Sequence, residues 1–338
     1  ERDNKIAIAT ILEVYAWQCI IDAWGDMPYS EALMLADNST PVYDDAAGVY
    51  TAIISELGIA MSMLKTSAAG FGGADVLFHG DVAKWKSFGA SLQLRLGMRL
   101  ADVNEGAAKA AAEAGVANGV ITDFDQNASL VYSGVVPHVN GIYTAFVVDG
   151  RADYLPTNTI IDLMNSMEDP RRPLWFTTVD GEYVGAVAGL DGAQTYANFS
   201  NFSAVFFDPK FPAILQDVVE VEFLLAEAAQ RGFNVGGTAE EHYNHAIEAS
   251  ILYWGGTQAE ADTYLARADV AYDASKWKEL IGTQKWIALY NRGVEGWAEW
   301  RRLDFPVLNV PEGMVYNDIP KRYPYPYNEI LNNKASYE

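Results

Sequence analysis

The feature that most constrains this fold is a periodic run of aromatic residues and glycine near the carboxyl-terminal end. Its members recur at spacings of four, three, four and three residues: Trp286, Tyr290, Gly293, Trp297 and Trp300. That spacing is typical of one stripe along a helix, or of two abutting helices. Because a regular helical stripe usually faces another helix, we interpret the run as core packing. A sugar-stacking platform formed by the flat rings is the alternative interpretation.

The charge balance limits the classes of partner. The chain has 338 residues, of which half are hydrophobic, so it is long enough for one large or two ordinary domains. Its 45 acidic and 23 basic side chains give a formal net charge of −22. This charge disfavours nucleic acid and anionic membrane surfaces as partners. A single cysteine, Cys19, excludes an internal disulfide framework and a multi-cysteine metal site.

Helical patterns occupy both ends of the chain. A first helix is predicted to run to Trp24 and to stop at Gly25, with Pro28 shortly after. Asp44 or Asp45 is expected to cap a second helix, and Asp81 a third. The alanine-rich segment 105–117 is predicted to be a short helix on the surface. Small alanines and a glycine turn in 216–253 resemble a thirty-four-residue helix-turn-helix repeat.

The middle of the chain has a different character. Helical periodicity fades over 121–212, where glycine, asparagine, aromatic and β-branched residues increase. A hairpin between 174–178 and 183–187 is predicted there, because Asp180 and Gly181 form a two-residue turn signal. We therefore predict a mainly α fold: a TPR-like helical-repeat scaffold with a large loop-rich insertion containing short strands. A single domain, 1–338, would comprise a scaffold (1–120 and 213–305), an insertion (121–212) and an irregular tail (306–338).

Several sequence blocks resemble one known family. They occur in the same order as in that family and span nearly the whole chain: DAWGDMPYSEAL (22–33), GDVAKWKSFGASLQLRLGMR (80–99), DPR (169–171), VEFLLAEAAQRG (221–232), QKWIALY to EWRRLDFP (284–306) and IPKRYPYPYNEILN (319–332). The chain is similar to the SusD/RagB family of outer-membrane glycan-capture lipoproteins, in its SusD-like subfamily. Several co-linear blocks are more specific than any single motif.

The resemblance implies a function and a location. It implies a non-catalytic protein that binds oligosaccharide, polysaccharide or another nutrient and passes it to a partner TonB-dependent outer-membrane transporter. It also implies a lipid-anchored protein on the outer membrane, facing the cell exterior. The lipidated cysteine of the family would lie upstream of Glu1, and the family's carboxyl-terminal tail would extend beyond this chain. An α-helical glycoside hydrolase or lyase, and a protein-binding helical-repeat scaffold, are the alternative functions.

Ligand-binding residues are expected on the loops, because a helical scaffold fixes its loops while leaving them free to vary. The candidates combine rings for stacking with amides that orient sugar hydroxyls: Trp175, Tyr183, Gln194, Tyr196, Asn198, Phe199, Asn201 and Phe202. The alternative for each ring is a small core beneath the loops.

Metal and catalytic signals in the sequence are weak. Asp123, Asp125, Asn127 and Ser129 alternate as in a calcium loop, but Ala128 occupies the position of the usual glycine. We therefore expect no cofactor, with calcium as an open alternative. His242 and His245 are three residues apart on a predicted helix, where a solvated surface is the favoured interpretation over a metal site. No phosphate loop, GxSxG elbow or dinucleotide fingerprint occurs.

Overall fold

A computed structural model describes residues 1–34, 37–190, 195–314 and 318–337. Within this part, two short strands, β1 (Ala128–Leu130) and β2 (Ala213–Gln216), pair antiparallel. The helices are α1 (Arg2–Trp24), α2 (Ala46–Met63), α3 (Val82–Arg99), α4 (Glu105–Asn118), α5 (Gly141–Tyr143), α6 (Asn158–Ser166), α7 (Arg172–Trp175), α8 (Val218–Gln230), α9 (Ala239–Tyr253), α10 (Gln258–Leu265), α11 (Trp277–Ala288), α12 (Gly293–Leu303), α13 (Tyr327–Asn332) and α14 (Lys334–Tyr337). The mainly α prediction is confirmed.

The chain divides into two compact units. Unit 1 comprises 1–120, 293–302 and 320–338, and unit 2 comprises 121–292 and 303–319. The break at 120–121 coincides with the point where helical periodicity fades in the sequence. The segment predicted as an insertion, 121–212, belongs to the same unit as helices α8 to α11.

Local capping chemistry sets the helix ends of unit 1. The Asp45 carboxylate accepts a hydrogen bond from the backbone N–H of Gly48 at the start of α2. Asp81 accepts from two backbone N–H groups at the start of α3. Helix α1 ends at Gly25, whose φ of 81° suits a residue without a side chain. These three ends agree with the predicted ones, because each depends on chemistry within a few residues.

Helix α4 packs tightly against α3 and does not lie loosely on the surface as predicted. A Cβ at Gly97 would come within 3.0 Å of the carbonyl oxygen of Ala108, and one at Gly115 within 2.7 Å of that of Ala90. Small residues therefore allow the two backbones to approach closely. The alanines of α4 are core residues here: Ala108 and Ala112 are fully buried.

Charged side chains are buried together in unit 1. Arg99 forms ion pairs with Asp22 at 3.1 Å and with Glu295 at 2.5 Å, and Glu299 pairs with Arg302 at 2.6 Å. Burying these charges is tolerated because they are paired with one another.

The periodic aromatic run from Trp286 to Trp300 is divided between two helices. Trp286 lies in α11 and Trp297 in α12. Trp297 is half-buried rather than fully buried, and its indole N–H donates to the carbonyl of Pro320 at 2.9 Å. Arg301 lies 3.9 Å above its ring and donates to backbone carbonyls, not to an acidic side chain. The run is thus packing, but of a more superficial kind than the spacing suggested.

Helices α1 and α2 have the length and composition to cross a membrane. Each buries part of its surface within unit 1, where Ile11 and Ile53 are fully inaccessible. Core helices of water-soluble domains share these properties, so length and composition do not by themselves identify a membrane span.

In unit 2, the predicted hairpin does not form. The turn itself is present: Asp180 and Gly181 have φ of 51° and 89°, and Val179 and Glu182 exchange two backbone hydrogen bonds of 2.9 Å. The flanking residues do not continue this ladder, because Arg172–Trp175 is helical and Phe176 bridges to Phe202 instead. A turn signal specifies the reversal, whereas burial of the neighbouring rings decides the pairing.

The core of unit 2 is strongly aromatic. Its buried members come from α6, α7, α11 and the coil before α8: Ile160, Ile161, Met164, Trp175, Phe176, Phe206, Phe211 and Ile287. Trp175 stacks on Tyr290 with ring centroids 4.7 Å apart, and Trp254 meets its edge at 5.1 Å. The loop-rich segment and the helices of this unit therefore share one core.

Two histidines bracket one carboxylate between α8 and α9. The Nδ1 atoms of His242 and His245 lie 2.6 Å and 3.2 Å from the two carboxylate oxygens of Glu222. His242 Nε2 also lies 2.8 Å from the carbonyl oxygen of Gly236, in the turn between the helices. Since both ring nitrogens of His242 face acceptors, only the protonated imidazole satisfies both contacts.

These contacts raise the pKa values of the two histidines and lower that of Glu222. Burial acts to lower the pKa of His242, but the bonds to Glu222 and Gly236 outweigh it and raise the pKa above 6.5. The bond to Glu222 likewise raises the pKa of His245. Burial acts to raise the pKa of Glu222, yet the two imidazoles lower it to about 2.

We expect the contacts of protonated His242 with Glu222 and Gly236 to make thermal stability depend on pH. A raised histidine pKa stabilises the fold at low pH, and this contribution is lost as pH rises through the folded-state value. Between pH 6 and pH 9, the Tm of the His242→Gln variant should therefore fall by about 2 °C less than the Tm of the wild type. Thermal unfolding of both proteins across this range measures the difference. Equal pH dependence in the two proteins would contradict the assignment.

Candidate functional site

An aromatic cavity in unit 2 is the best candidate for a binding site. Its volume is about 400 Å³, within the size range of ligand pockets. The lining residues are uncharged and mostly apolar: Gly141, Ile142, Ala145, Phe146, Tyr154, Phe202, Phe206, Tyr290 and Asn291. We call this space the aromatic cavity.

The walls of the aromatic cavity come from three separate stretches of chain, 141–154, 202–206 and 290–291. The first begins at Asn140, whose side chain accepts from the N–H of Ile142 at 2.7 Å and donates to the carbonyl of Phe211 at 2.9 Å. Helix α5 then widens into a π-helical turn over Thr144–Val148, which carries Phe146. Wide turns of this kind are rare and often occur at functional sites.

The rings of the cavity support one another. The ring centroid of Phe146 lies 5.8 Å from that of Tyr154 and 5.5 Å from that of Phe202. Tyr290 is held from behind by the stacked ring of Trp175. The Tyr154 side chain is 47% exposed, and the Arg151 guanidinium lies 4.4 Å from its ring centroid. The cavity therefore offers flat rings in fixed positions, with Tyr154 at its open side.

Polar groups in the aromatic cavity are few. A tyrosine hydroxyl is neutral at physiological pH at its ordinary pKa, and burial raises the pKa of Tyr290 further. Asn291, exposed beside it, adds an amide. Arg151 is nearby but is already bound to Asp153, at 2.9 Å and 2.5 Å. Flat rings with a small number of neutral polar groups match the alternating apolar faces and hydroxyl edges of a sugar.

Of the predicted residues that the structure describes, only Phe202 lines this cavity. Trp175 is fully buried and its ring lies inside the core, so it cannot contact a ligand. Tyr183 is half-buried, with the Arg172 guanidinium 4.5 Å from its ring centroid. The Asn201 amide donates to the carbonyl of Phe199 at 3.0 Å. The structure thus assigns part of the predicted set to structural contacts.

The remaining predicted residues are on the loop that precedes Phe202. Tyr196 and Phe199 are half-buried and Asn198 is exposed, but none of the three lines the aromatic cavity. Gln194 lies outside the described residues. Binding roles for Tyr196, Asn198 and Phe199 stay predictions.

Most of the cavity lining could not be predicted from the sequence. Ile142, Phe146 and Tyr154 lie in a stretch without periodicity, where no motif distinguishes a ligand-facing ring from a core ring. Tyr290 belongs to the periodic aromatic run, whose spacing predicts a core position for it. It has both roles, because one face stacks on Trp175 while part of the residue borders the cavity.

The residues of the calcium-like pattern serve structural purposes in part. The side-chain oxygen of Asn127 accepts a hydrogen bond from the backbone N–H of Val218 at 2.9 Å, at the start of α8. Across the described ranges, no three His, Cys, Asp or Glu side chains stand in a metal-binding arrangement. Calcium at 123–129 therefore stays an untested alternative.

Known proteins similar to this chain fall in one family. Residues 1–326 match the SusD-like family described as starch-binding and associating with the outer membrane. A SusD homologue from Bacteroides uniformis is 31% identical with a TM-score of 0.87, over 98% of this chain and 76% of that one. A chitin-binding SusD homologue from Flavobacterium johnsoniae is 27% identical with a TM-score of 0.85, over 98% and 76%. No protein with a curated functional description matches significantly.

Proposed function

Because this chain belongs to the SusD-like family, we propose that it binds a neutral oligosaccharide at the cell surface, in the aromatic cavity of unit 2. The observation that carries the proposal is the lining of this cavity, where the described residues are mostly rings and apolar side chains and none is charged. An anionic sugar would find no cationic partner on these walls, and the net charge of −22 would repel it.

Two polysaccharides are the first ligands to test. The family description names starch, and the Flavobacterium johnsoniae relative is described as chitin-binding. Both polymers consist of uncharged pyranose rings with apolar faces, as the cavity requires. A volume of about 400 Å³ suits a short stretch of such a chain rather than a long one.

We also propose that the protein binds its ligand without cleaving it. Glycoside hydrolysis ordinarily needs two carboxyl groups on opposite sides of the scissile bond. Among the residues that the structure describes, no aspartate or glutamate lines the aromatic cavity. A partner TonB-dependent transporter, which would receive the ligand, and a lipid anchor are further proposals that rest on the family resemblance.

One experiment tests both glycan binding and the absence of cleavage. The protein is incubated with insoluble polysaccharides, its retention is measured, and the soluble fraction is analysed for released sugar. We expect retention on starch or chitin and no release of sugar. Release of oligosaccharides would overturn the non-catalytic proposal and favour a hydrolase or lyase. Failure to bind starch, chitin or any other neutral glycan on an array would overturn the glycan-binding proposal and favour a protein-binding scaffold.

A single ring at the open side of the cavity gives a sharper test. Tyr154→Ala is expected to weaken binding of the retained oligosaccharide about tenfold, because it removes a stacking surface and a hydroxyl. Tm should change little, since the side chain is 47% exposed. Titration calorimetry and thermal unfolding measure the two effects.

Tyr327 provides a matched control for this variant. It is a tyrosine in unit 1 that is 70% exposed and does not line the cavity. Tyr327→Ala should leave the affinity unchanged. Equal affinity in the Tyr154 variant and the wild type would remove the aromatic cavity from consideration as the binding site.

A further inference from the structure

The turn after α11 gives the aromatic cavity two consecutive lining residues, Tyr290 and Asn291. Consecutive residues of a regular helix point in directions about 100° apart. Here the helix has ended, and Asn291 adopts a left-handed conformation with φ of 69°. This conformation redirects the chain so that both residues border the same space.

The residue that follows holds this turn in place. The Arg292 guanidinium donates to Glu220 and Asp217 at 3.0 Å each, in the first turn of α8 and at its cap. Its backbone N–H donates to the carbonyl of Leu289 at 2.8 Å, and Leu289 is buried. Because both neighbours of Asn291 are anchored, its backbone conformation is fixed before any ligand arrives.

The Asn291 side chain is available to a ligand. It is exposed, and within the described part of the chain it forms no hydrogen bond. By contrast, both the amide oxygen and the amide nitrogen of Asn140, the residue before the lining residue Gly141, are hydrogen-bonded to backbone groups. An asparagine amide donates and accepts at once, so it can bind a hydroxyl pair or an acetamido group on the edge of a sugar.

We propose that Asn291 determines which neutral sugar the aromatic cavity prefers. The inference rests on the proposed function. Rings contact the apolar face of almost any pyranose, so stacking gives affinity with little discrimination. Phenylalanine side chains cannot form hydrogen bonds. An amide carried on this anchored turn forms hydrogen bonds only with those ligands whose polar groups lie at matching positions.

Asn291→Gly separates binding from folding. Glycine adopts the left-handed conformation without strain, so Tm should be unchanged or slightly higher. Affinity for the preferred oligosaccharide should fall about three- to tenfold through loss of the amide contact. Malto-oligosaccharides and chito-oligosaccharides of equal length are the probes, and the ratio of the two affinities should move toward one.

Asp304→Gly is the matched control. Asp304 also has a positive φ, 61°, and lies in unit 2, but it does not line the cavity. This variant should keep the wild-type affinities. A wild-type protein that binds neither these probes nor any other neutral glycan would overturn the proposed function and this inference together. If the wild type binds but Asn291→Gly keeps its affinities, or loses both equally, only the specificity role of Asn291 is overturned.

Discussion

Replacing Arg171 by methionine is expected to lower the free energy of unfolding by about 3–5 kcal/mol. Both Arg171 and Asp169 are essentially inaccessible to solvent, and their side chains form two hydrogen bonds of 2.9 Å and 2.6 Å. Further N–H groups of the same guanidinium donate to the side-chain oxygens of Ser250 and Gln284. Methionine would leave the Asp169 carboxylate buried without its cation, which is the costly outcome for a buried pair.

Arg267→Met is the matched control for this prediction. Arg267 also pairs with an aspartate two residues away, Asp269 at 3.0 Å, but on the surface. Exposed ion pairs contribute at most about 1 kcal/mol, so this variant should be nearly as stable as the wild type. Urea denaturation followed by circular dichroism measures both proteins. A loss below about 1 kcal/mol for the Arg171 variant would show that the buried pair is not important for stability.

Trp175→Ala is expected to cost about 3–5 kcal/mol of unfolding free energy as a core truncation. The ring is fully inaccessible and contacts Phe176, Trp254 and Tyr290. From the sequence, Trp175 is a sugar-binding candidate, whose removal would weaken binding at constant stability. The structure reverses that expectation, and thermal unfolding decides between the two.

Loss of Trp175 also removes the support behind Tyr290. Trp175→Phe retains an aromatic ring and should restore a large part of the stability. If Trp175→Ala unfolds at the wild-type temperature while losing affinity, the ring is accessible to ligand and its assignment to the core is wrong.

Features that depend on a few adjacent residues could be predicted from the sequence. The caps at Asp45 and Asp81, the helix end at Gly25 and the turn at Asp180 each follow from chemistry within one turn of chain. The mainly α architecture follows from periodicity over longer stretches, which is also a local property. Agreement is therefore best where no distant contact takes part.

Features that depend on distant partners could not be predicted in this way. Trp175 and Phe202 look alike in the sequence, but one is enclosed by Trp254 and Tyr290 and the other borders a cavity. Helix α4 seemed superficial because alanine and glycine are weakly hydrophobic. Their value is steric, since they permit a close approach to α3 that hydropathy does not measure.

The aromatic cavity takes its walls from 141–154, 202–206 and 290–291, which are far apart along the chain. No isolated segment of unit 2 contains the site, so ligand affinity and the folding of unit 2 are one linked equilibrium. Occupancy at a hundredfold excess over Kd would stabilise the folded state by about 2.7 kcal/mol. A ligand that occupies the aromatic cavity would therefore also stabilise the fold of unit 2.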